Sequence, residues 1–241
     1  MKRFVDVIVA LFLLVIFSPL LLFISLLVFI NDWHTPYYIS SRVGKDGELF
    51  SMVKMRSMVI NADSTGVDST SDDDNRITPI GKLIRRYKVD EITQMWNVLK
   101  GDMSLVGPRP NVKRETDLYS NEERFLLSVR PGITDLASII FSDEGEILIT
   151  ELDPDLAYNQ LIRPWKSRLG IIYIENSKFL LDMKILFYTF ILIFNKKASI
   201  SWVVGTLKKL GCEEHLIDVC KREKILIPFP PPGFDQIVIN R

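Results

Sequence analysis

Residues 90–110, DEITQMWNVLKGDMSLVGPRP, are the stretch that decides how this chain folds. Apolar residues recur at three- and four-residue spacing across 92–99, which predicts a helix there. Lys100 and Gly101 then end this helix in the usual C-terminal manner. Prolines flank Arg109 on both sides and stiffen the backbone, so its side chain is expected to point in a fixed direction.

Asp90 and Glu91 stand at the first turn of this helix, where free backbone N–H groups and the helix dipole favour negative charge. The simpler interpretation is that Asp90 is the N-cap and Glu91 an ordinary first-turn acid. The alternative is that Asp90 is a nucleophile, held ionised beside a phosphate bound at the same helix end. Because adjacent residues on a helix do not face each other, Glu91 would then have a separate task, handling a metal ion or a proton.

Basic residues accumulate around this pair, although the chain has 30 Lys+Arg against 30 Asp+Glu and no formal net charge. That balance excludes a generic nucleic-acid-binding protein, which needs a broad basic field. Arginine forks suit the two-point grip on phosphate oxygens that phosphoryl transfer requires. Solvated basic faces, or contact with anionic lipid headgroups, are the alternative. The cations are Arg42, Lys54, Arg56, Arg76, Lys82, Arg85, Arg86, Lys88, Arg109 and Arg130.

The N-terminus carries an apolar run, residues 4–30, that is long enough as a helix to cross the roughly 30 Å hydrocarbon core of a bilayer. The basic residues in front of the run also suit a signal peptide, but the run is long for one and lacks a small-residue cleavage pattern in its second half. Pro19 removes a backbone hydrogen bond near the middle of the run, so a kink or break is expected there. Ser18 is placed to bond the freed backbone.

A full crossing of the membrane is not the favoured topology. Lys2 and Arg3 precede the run, and the sequence after it looks cytosolic, whereas a helix that crosses with its basic end inside would leave all later residues outside. We therefore predict a reentrant helix that breaks at Ser18 and Pro19 and returns to the same face. A secreted protein whose mature chain begins near residue 30 is the alternative, and intact mass distinguishes it.

Hydrophobic spacing and turn residues predict a small β-hairpin over 37–58 and helices over 81–89 and about 115–129. Between the hairpin and the helices, residues 61–75 are polar and form a mobile loop by composition. A metal-binding loop is less favoured, because the spacing lacks the glycine and terminal glutamate of a calcium loop. The acidic residues of this loop are Asp63, Asp68, Asp72, Asp73 and Asp74.

Residues 178–194 are a second hydrophobic stretch, marginal for a span, which predicts a helix lying on the membrane surface or packed in the core. Beyond it, the tail combines an amphipathic helix near 213–224 with an extended proline-rich segment. Cys212, His215 and Cys220 have unorthodox spacing for zinc, so core cysteines are expected. Two cysteines make no disulfide framework and point to a reducing compartment.

The order of these motifs resembles that of the bacterial sugar transferases, the monotopic phosphoglycosyl transferases that are also called polyprenyl-phosphate hexose-1-phosphate transferases. The resemblance covers roughly residues 1–195, and 90–110 is its most specific part. The other motifs that carry it are Lys2-Arg3, Asp6, Ser18-Pro19, Arg42-Val43-Gly44, Lys54-Met55-Arg56-Ser57-Met58 and Arg76-Ile77-Thr78.

This resemblance implies an enzyme at the cytoplasmic face of the bacterial inner membrane that performs the first membrane step of surface glycan assembly. It would transfer a sugar 1-phosphate from a UDP-sugar to undecaprenyl phosphate with Mg²⁺ and release UMP. Asp90 matches the family's nucleophile and Glu91 its partner in the dyad, with Mg²⁺ held at the two. Ser18 and Pro19 match the break in the reentrant helix.

Arg85 and Arg109 fall on arginines that the family places near the phosphates. With the basic residues noted above, the expected substrate-binding set is Lys54, Arg56, Arg85, Arg109 and Arg130. One departure is that residues 135–138 read Asp-Leu-Ala-Ser where many members have Gly and Gln, which leaves the sugar open. The tail beyond about residue 199 also extends past the minimal family core.

The predicted fold class is α+β and mostly helical, with an N-terminal reentrant membrane helix, a small β-hairpin and a cytosolic helical catalytic domain with surface amphipathic helices. The predicted divisions are the membrane helix at 1–33, the catalytic domain at 34–198 and a C-terminal extension at 199–241. The expected partners are the UDP-sugar, undecaprenyl phosphate and the lipid bilayer, with no nucleic acid and with a homodimer left open. The alternative function is a non-catalytic membrane-surface scaffold of a glycan-assembly complex, which has no use for the acidic pair.

Overall fold

The computed structural model describes residues 1–66, 69–71 and 73–239, and the acidic-loop residues Asp68 and Asp72 lie outside them. The fold is mostly helical α+β, as predicted. The helices are α1 (Lys2–Asp32), α2 (Pro79–Arg86), α3 (Val89–Thr93), α4 (Met95–Lys100), α5 (Lys113–Thr116), α6 (Leu136–Ile140), α7 (Glu144–Leu148), α8 (Pro154–Ala157), α9 (Arg163–Glu175), α10 (Phe179–Leu192), α11 (Lys196–Lys209) and α12 (Glu214–Cys220). The strands are β1 (Tyr37–Val43), β2 (Leu49–Met55), β3 (Ser104–Val106) and β4 (Gly132–Thr134).

Strands β1 and β2 form the predicted antiparallel hairpin, with Tyr37 opposite Met55 and Val43 opposite Leu49. The fully buried side chain of Asn97 on α4 holds the far edge of β2. Its Oδ1 accepts from the backbone N–H of Val53 at 2.9 Å, while its Nδ2 donates to the carbonyl of Ser51 at 2.7 Å. The hairpin is thereby fixed against the helices that follow it.

Strands β3 and β4 form a short parallel pair, and two glycines let their ends approach closely. A Cβ on Gly132 would lie 2.1 Å from the backbone nitrogen of Gly107, a distance that no side chain tolerates. The N–H of Gly132 also donates to the carbonyl of Pro108 at 2.9 Å. This contact fixes the backbone directly before Arg109.

Helix α1 is continuous, so Pro19 does not end the helix. The hydroxyl of Ser18 donates to the carbonyl of Val15 at 2.8 Å. That carbonyl is the one that Pro19, with no N–H, leaves without its usual partner. Among the described residues, one helix is long and apolar enough to cross a membrane, and that helix is α1. Most of its apolar side chains are exposed.

Both ends of α1 are bound to the rest of the protein. Near its beginning, Lys2 forms an ion pair of 2.9 Å with Asp182 on α10, and the carboxylate of the buried Asp6 accepts from the Ser104 hydroxyl at 2.8 Å. At its end, Asp32 forms an ion pair with Arg56, which follows β2. Asp6 and Asp32, which are 26 residues or about 40 Å of helix apart, therefore both contact the same domain.

The main hydrophobic core continues into the C-terminal tail. Val203 and Leu207 of α11 are fully buried in the same cluster as Trp165 of α9, and Cys220 joins them. The predicted boundary after residue 198 falls inside α11. Residues 225–239 contain no helix or strand, and in this segment the ring of Phe229 stacks on Trp165 of α9 at 4.5 Å between centroids.

Two predicted helices are divided in the structure. The helix expected over 92–99 is interrupted between α3 and α4 at Gln94, and the helix expected over about 115–129 is α5 followed by the 3₁₀ helix Glu123–Ser128. A local capping pair explains the second division. Ser120 accepts from the N–H of Glu123 with its hydroxyl and donates its own N–H to the Glu123 carboxylate, which starts a new helix at this point.

Candidate active site

A cleft of about 710 Å³ brings together side chains that lie far apart in the sequence. Lys54 comes from β2, Arg85 from α2, Asp90 and Glu91 from the first turn of α3, and Arg109 from the segment after β3. The cleft thus combines an adjacent pair of carboxylates with three cations. Further cations that line it are Arg42, Lys82, Arg86, Lys88, Arg163 and Lys166.

The interpretation of Asp90 as the N-cap is wrong. The N-cap position is Lys88, which adopts a left-handed backbone with φ 52°, and α3 begins at Val89. Asp90 therefore lies within the first turn, and its backbone carbonyl accepts from the Thr93 hydroxyl at 2.8 Å. Asp90 also lines the cleft.

Arg109 fixes the position of Glu91. Its Nη1 donates to Oε1 of Glu91 at 3.0 Å and to the carbonyl of Ile133 in β4 at 2.9 Å. The stiff Pro108-Arg109-Pro110 backbone thus links the β3–β4 pair to α3. The expected fixed direction of this arginine is confirmed by these two contacts.

The two carboxyl groups have opposite pKa shifts. Burial raises the pKa of Asp90, an effect that Lys54 opposes and Glu91 reinforces. Burial acts in the same direction on Glu91, but the positive charges of Arg109, Lys88 and Lys54 outweigh it and hold the pKa of Glu91 below its ordinary value. Neighbouring acids whose pKa values are driven apart are suited to different roles.

Lys54 is the cation whose charge depends most on pH, because burial lowers its pKa to about 8 even though Asp90 favours the charged form. We expect kcat/KM to fall as the pH rises through about 8, since Lys54 then loses a positive charge that would attract an anionic substrate. The arginine of Lys54→Arg stays charged throughout this pH range, so the substitution is expected to remove the fall in kcat/KM at alkaline pH. A pH profile of kcat/KM measures the effect.

Lys100→Arg is the matched control, because Lys100 is exposed and pairs with Asp102 outside the cleft. It is expected to keep the wild-type profile. A limb near pH 8 that persists in Lys54→Arg would contradict the assignment to Lys54.

The structure places two of the expected substrate-binding residues outside the cleft. Arg56 is buried, and its guanidinium is used by Asp32 and by the carbonyl of Thr35 at 2.8 Å. Arg130 is exposed, and its Nε donates to the carbonyl of Gly101 at 2.9 Å. Arg56 thus secures the end of α1, and Arg130 secures the end of α4.

The structure also shows where the other residues lie that the sequence analysis considered as phosphate-binding cations or zinc ligands. Arg76 pairs with Asp74 at 2.6 Å within the acidic loop. Cys220 is buried in the core, and the ring of His215 packs edge-on against Trp165 at 5.1 Å. Within the described part of the chain, no group of three or more His, Cys, Asp or Glu residues is arranged to hold a metal ion.

One wall of the cleft carries residues that the sequence did not single out. These residues are Glu115, Tyr119, Tyr158 and Arg163, which are separated from the acidic pair in the sequence but line the same cavity. Asp135 lines the cleft as well and is the N-cap of α6, where it accepts from the N–H of Ser138 at 2.6 Å. The N-cap role of Asp135 could be found from the sequence, because the aspartate stands three residues before the serine that it caps. No local sequence pattern indicates the residues of the wall.

Comparison with known proteins gives a consistent result. A family model described as bacterial sugar transferase matches residues 1–196. A UDP-N-acetylgalactosamine-undecaprenyl-phosphate N-acetylgalactosaminephosphotransferase of Aeromonas hydrophila is 34% identical over 78% of this chain and 42% of the relative. A UDP-glucose:undecaprenyl-phosphate glucose-1-phosphate transferase of Caulobacter vibrioides is 34% identical over 69% of this chain and 65% of the relative.

An uncharacterized sugar transferase, EpsL, of Bacillus subtilis is 35% identical over 78% of this chain and 85% of its own length. The match thus covers most of a relative of similar extent but less than half of the Aeromonas protein. The tail after residue 196 lies outside the family match.

Proposed function

We propose, from the premise that the chain belongs to the bacterial sugar transferase family, that it transfers a sugar 1-phosphate from a UDP-sugar to undecaprenyl phosphate. The protein is a transferase by family, and relatives are named as undecaprenyl-phosphate sugar phosphotransferases. What we propose for this chain is the UDP-sugar as donor, undecaprenyl phosphate as acceptor and a covalent intermediate between the two.

The observation that carries the proposal is the cleft in which Lys54, Arg85 and Arg109 surround Asp90 and Glu91. Both substrates are polyanions, so a carboxylate that attacks phosphorus needs nearby cations to neutralise charge spread over the phosphate oxygens. A non-catalytic scaffold would have no reason to bury an acidic pair among these cations, because burial of a charge is costly.

The proposed reaction is a double displacement at one phosphorus atom. A carboxylate oxygen of Asp90 attacks the phosphorus that carries the sugar, and the bond from this phosphorus to the UMP oxygen breaks, so UMP leaves with the electron pair. An oxygen of undecaprenyl phosphate then attacks the same phosphorus and displaces the Asp90 carboxylate. The sugar 1-phosphate is thereby passed to the lipid.

The residues present fit a magnesium ion. Mg²⁺ is commonly held by one or two carboxylates together with substrate phosphates, rather than by a full protein cage. Asp90 and Glu91 supply two such carboxylates in one cleft, and Arg109 orients Glu91. When bound, the ion would neutralise part of the charge on the phosphates.

We further propose that α1, although continuous through Pro19, enters the inner membrane with both of its ends on the cytoplasmic side, and that the domain is cytoplasmic. The support is that Lys2 and Asp6 at one end of α1 and Asp32 at the other end all contact the same domain. A helix that crossed the bilayer would present only one of its ends to that side.

Cysteine labelling tests this topology. In a background with Cys212 and Cys220 replaced by serine, a cysteine in a short N-terminal extension and Ile60→Cys are expected to be equally protected from an impermeant thiol reagent in intact cells. Both are expected to react after permeabilisation, which is the control. Labelling of one site alone in intact cells would establish a crossing helix.

Arg109→Lys is expected to lower kcat/KM by about tenfold or more, which corresponds to about 1.4 kcal/mol. The lysine keeps the charge, but it lacks the second pair of N–H groups that the guanidinium can offer to a phosphate while Nη1 holds Glu91 and Ile133. Steady-state kinetics with UDP-sugar and undecaprenyl phosphate measures the effect. Arg124→Lys, at an exposed position, is the control, and equal kinetics of the two variants would assign Arg109 a purely structural role.

The proposed function itself is tested by incubating the full chain in detergent or nanodiscs with undecaprenyl phosphate, Mg²⁺ and a panel of UDP-sugars. Release of UMP with at least one donor, together with a lipid-linked sugar diphosphate, is expected. The scaffold alternative predicts no release with any donor of the panel.

A further inference from the structure

The cleft is lined by the acidic pair and also by the wall of Glu115, Tyr119, Tyr158 and Arg163, to which Asn111 is joined by its hydrogen bond to Tyr119. The cations that line the cleft differ in whether other groups of the protein bind their side chains. Within the described residues the side chains of Lys54 and Arg85 donate no hydrogen bond to the protein, and both act electrostatically on Asp90.

At the wall, by contrast, the cations are taken up by protein groups. Arg163 is buried, donates from Nε and Nη2 to Glu123 at 2.9 and 2.6 Å, and donates from Nη1 to Asn159 at 2.9 Å. Lys166 forms an ion pair with Glu144. A phosphate is therefore drawn to the Asp90 end, and an uncharged part of a ligand suits the wall.

The polar groups of the wall include both acceptors and donors. The buried carboxylate of Glu115 is an acceptor, and Nδ2 of Asn159 approaches it at 3.4 Å. The hydroxyls of Tyr119 and Tyr158 remain neutral, since burial raises the pKa of both. Asn111 donates to the Tyr119 hydroxyl at 2.8 Å. Such a mixed set suits a polyol, in which each hydroxyl both donates and accepts.

The tyrosine rings are less suited to stacking a nucleobase. The guanidinium of Arg163 lies over the ring of Tyr119 at 5.5 Å, and the ammonium of Lys166 lies over the ring of Tyr158 at 5.4 Å. One face of each ring is thus covered by a cation. The hydroxyl groups, rather than the ring faces, are what the wall offers to a ligand.

The backbone at Tyr158 is specialised as well. Residues Tyr158–Ile162 form a π-helical turn between α8 and α9. Such turns are rare and occur frequently at functional sites, where they change the register of the side chains that follow. Here the turn contains Tyr158 and Asn159 and leads directly into Arg163, so it sets the arrangement of the wall.

We infer that Asn111, Glu115, Tyr119 and Tyr158 form the subsite that binds the sugar of the nucleoside diphosphate sugar, with Glu115 accepting a hydrogen bond from a sugar hydroxyl or amino group. This inference rests on the proposed function for the identity of the donor. It assigns the uridine to another part of the cleft, so the subsite determines which sugar is accepted. A polar subsite of this kind rejects sugars that leave its buried groups unpaired.

Binding measured without turnover tests the subsite. On the Asp90→Asn background, the full chain is titrated calorimetrically with UMP and with UDP-glucose, UDP-galactose and UDP-N-acetylgalactosamine. Glu115→Gln and, separately, Tyr158→Phe are expected to weaken the preferred UDP-sugar about tenfold, the effect of losing one good hydrogen bond. Affinity for UMP is expected to change less than twofold, and the ranking of the sugars is expected to change.

Asp117→Asn is the matched control, because Asp117 is exposed beside α5 and pairs with Lys113 at 2.6 Å outside the cleft. It is expected to leave all affinities unchanged. Equal weakening of UMP and UDP-sugar would overturn the inference and place the nucleoside at the wall. Unchanged UDP-sugar binding in both variants would give the wall a structural role only.

The Tyr158→Phe variant keeps the ring and the buried ion pairs, so it tests the subsite even where Glu115→Gln unfolds the chain. Failure of the proposed function is a different result: no UMP would be released by the wild-type chain, whatever the binding data show. A UDP-sugar affinity that depends on the wall, with UMP affinity unaffected, would then still support the subsite.

Discussion

Asp90→Asn is expected to abolish sugar-phosphate transfer, with kcat lowered by about four orders of magnitude or more, as for the loss of other enzymic nucleophiles. The amide has nearly the same size as the carboxylate but does not attack phosphorus. Wild-type enzyme given a UDP-sugar alone is expected to release up to one equivalent of UMP and to retain a sugar phosphate. The variant is expected to do neither, measured by UMP release and intact mass.

Asp63→Asn is the control for this experiment, since Asp63 is an exposed acid in the loop before α2. It is expected to retain full activity. Because Asp90 is not the N-cap of α3, the substitution removes no cap, and unchanged thermal unfolding is expected to accompany the loss of activity. A sugar-phosphate adduct mapped to any residue other than Asp90 would end the assignment.

Glu123→Ala is expected to destabilise the fold by about 3–5 kcal/mol, the usual cost of removing one partner of a buried ion pair. The carboxylate of Glu123 is fully buried and accepts from Arg163 and from the Ser167 hydroxyl at 2.7 Å. Its loss leaves the Arg163 charge inside the protein without compensation. Denaturant unfolding in a constant detergent background measures the effect.

Glu122→Ala changes the exposed neighbour in the same turn and is expected to have little effect on stability. The double variant Glu123→Leu with Arg163→Met removes both charges and is expected to recover most of the lost stability. Equal destabilisation by Glu122→Ala and Glu123→Ala would show that the helical turn, and not the ion pair, carries the effect.

The sequence by itself determined the elements whose causes lie within a few residues. The small β-hairpin, the helical character of 95–99 and the end of that helix at Gly101 were all predicted and are present. The hydrogen bond of Ser18 near Pro19 was also predicted, since the missing N–H and its carbonyl lie in one turn. The prediction of one helix over about 115–129 failed, because the Ser120–Glu123 capping pair starts a new helix inside that range.

Only the tertiary structure decided how distant side chains are used. Arg56 and Arg109 have the same chemistry and both stand next to predicted motifs, yet one is used by Asp32 at the end of α1 and the other orients Glu91 in the cleft. The wall with Glu115 and Tyr158 likewise depends on chain segments that come together only by packing. Backbone preference and periodicity are properties of short segments, whereas the partner of a charged side chain depends on which segments the core brings together.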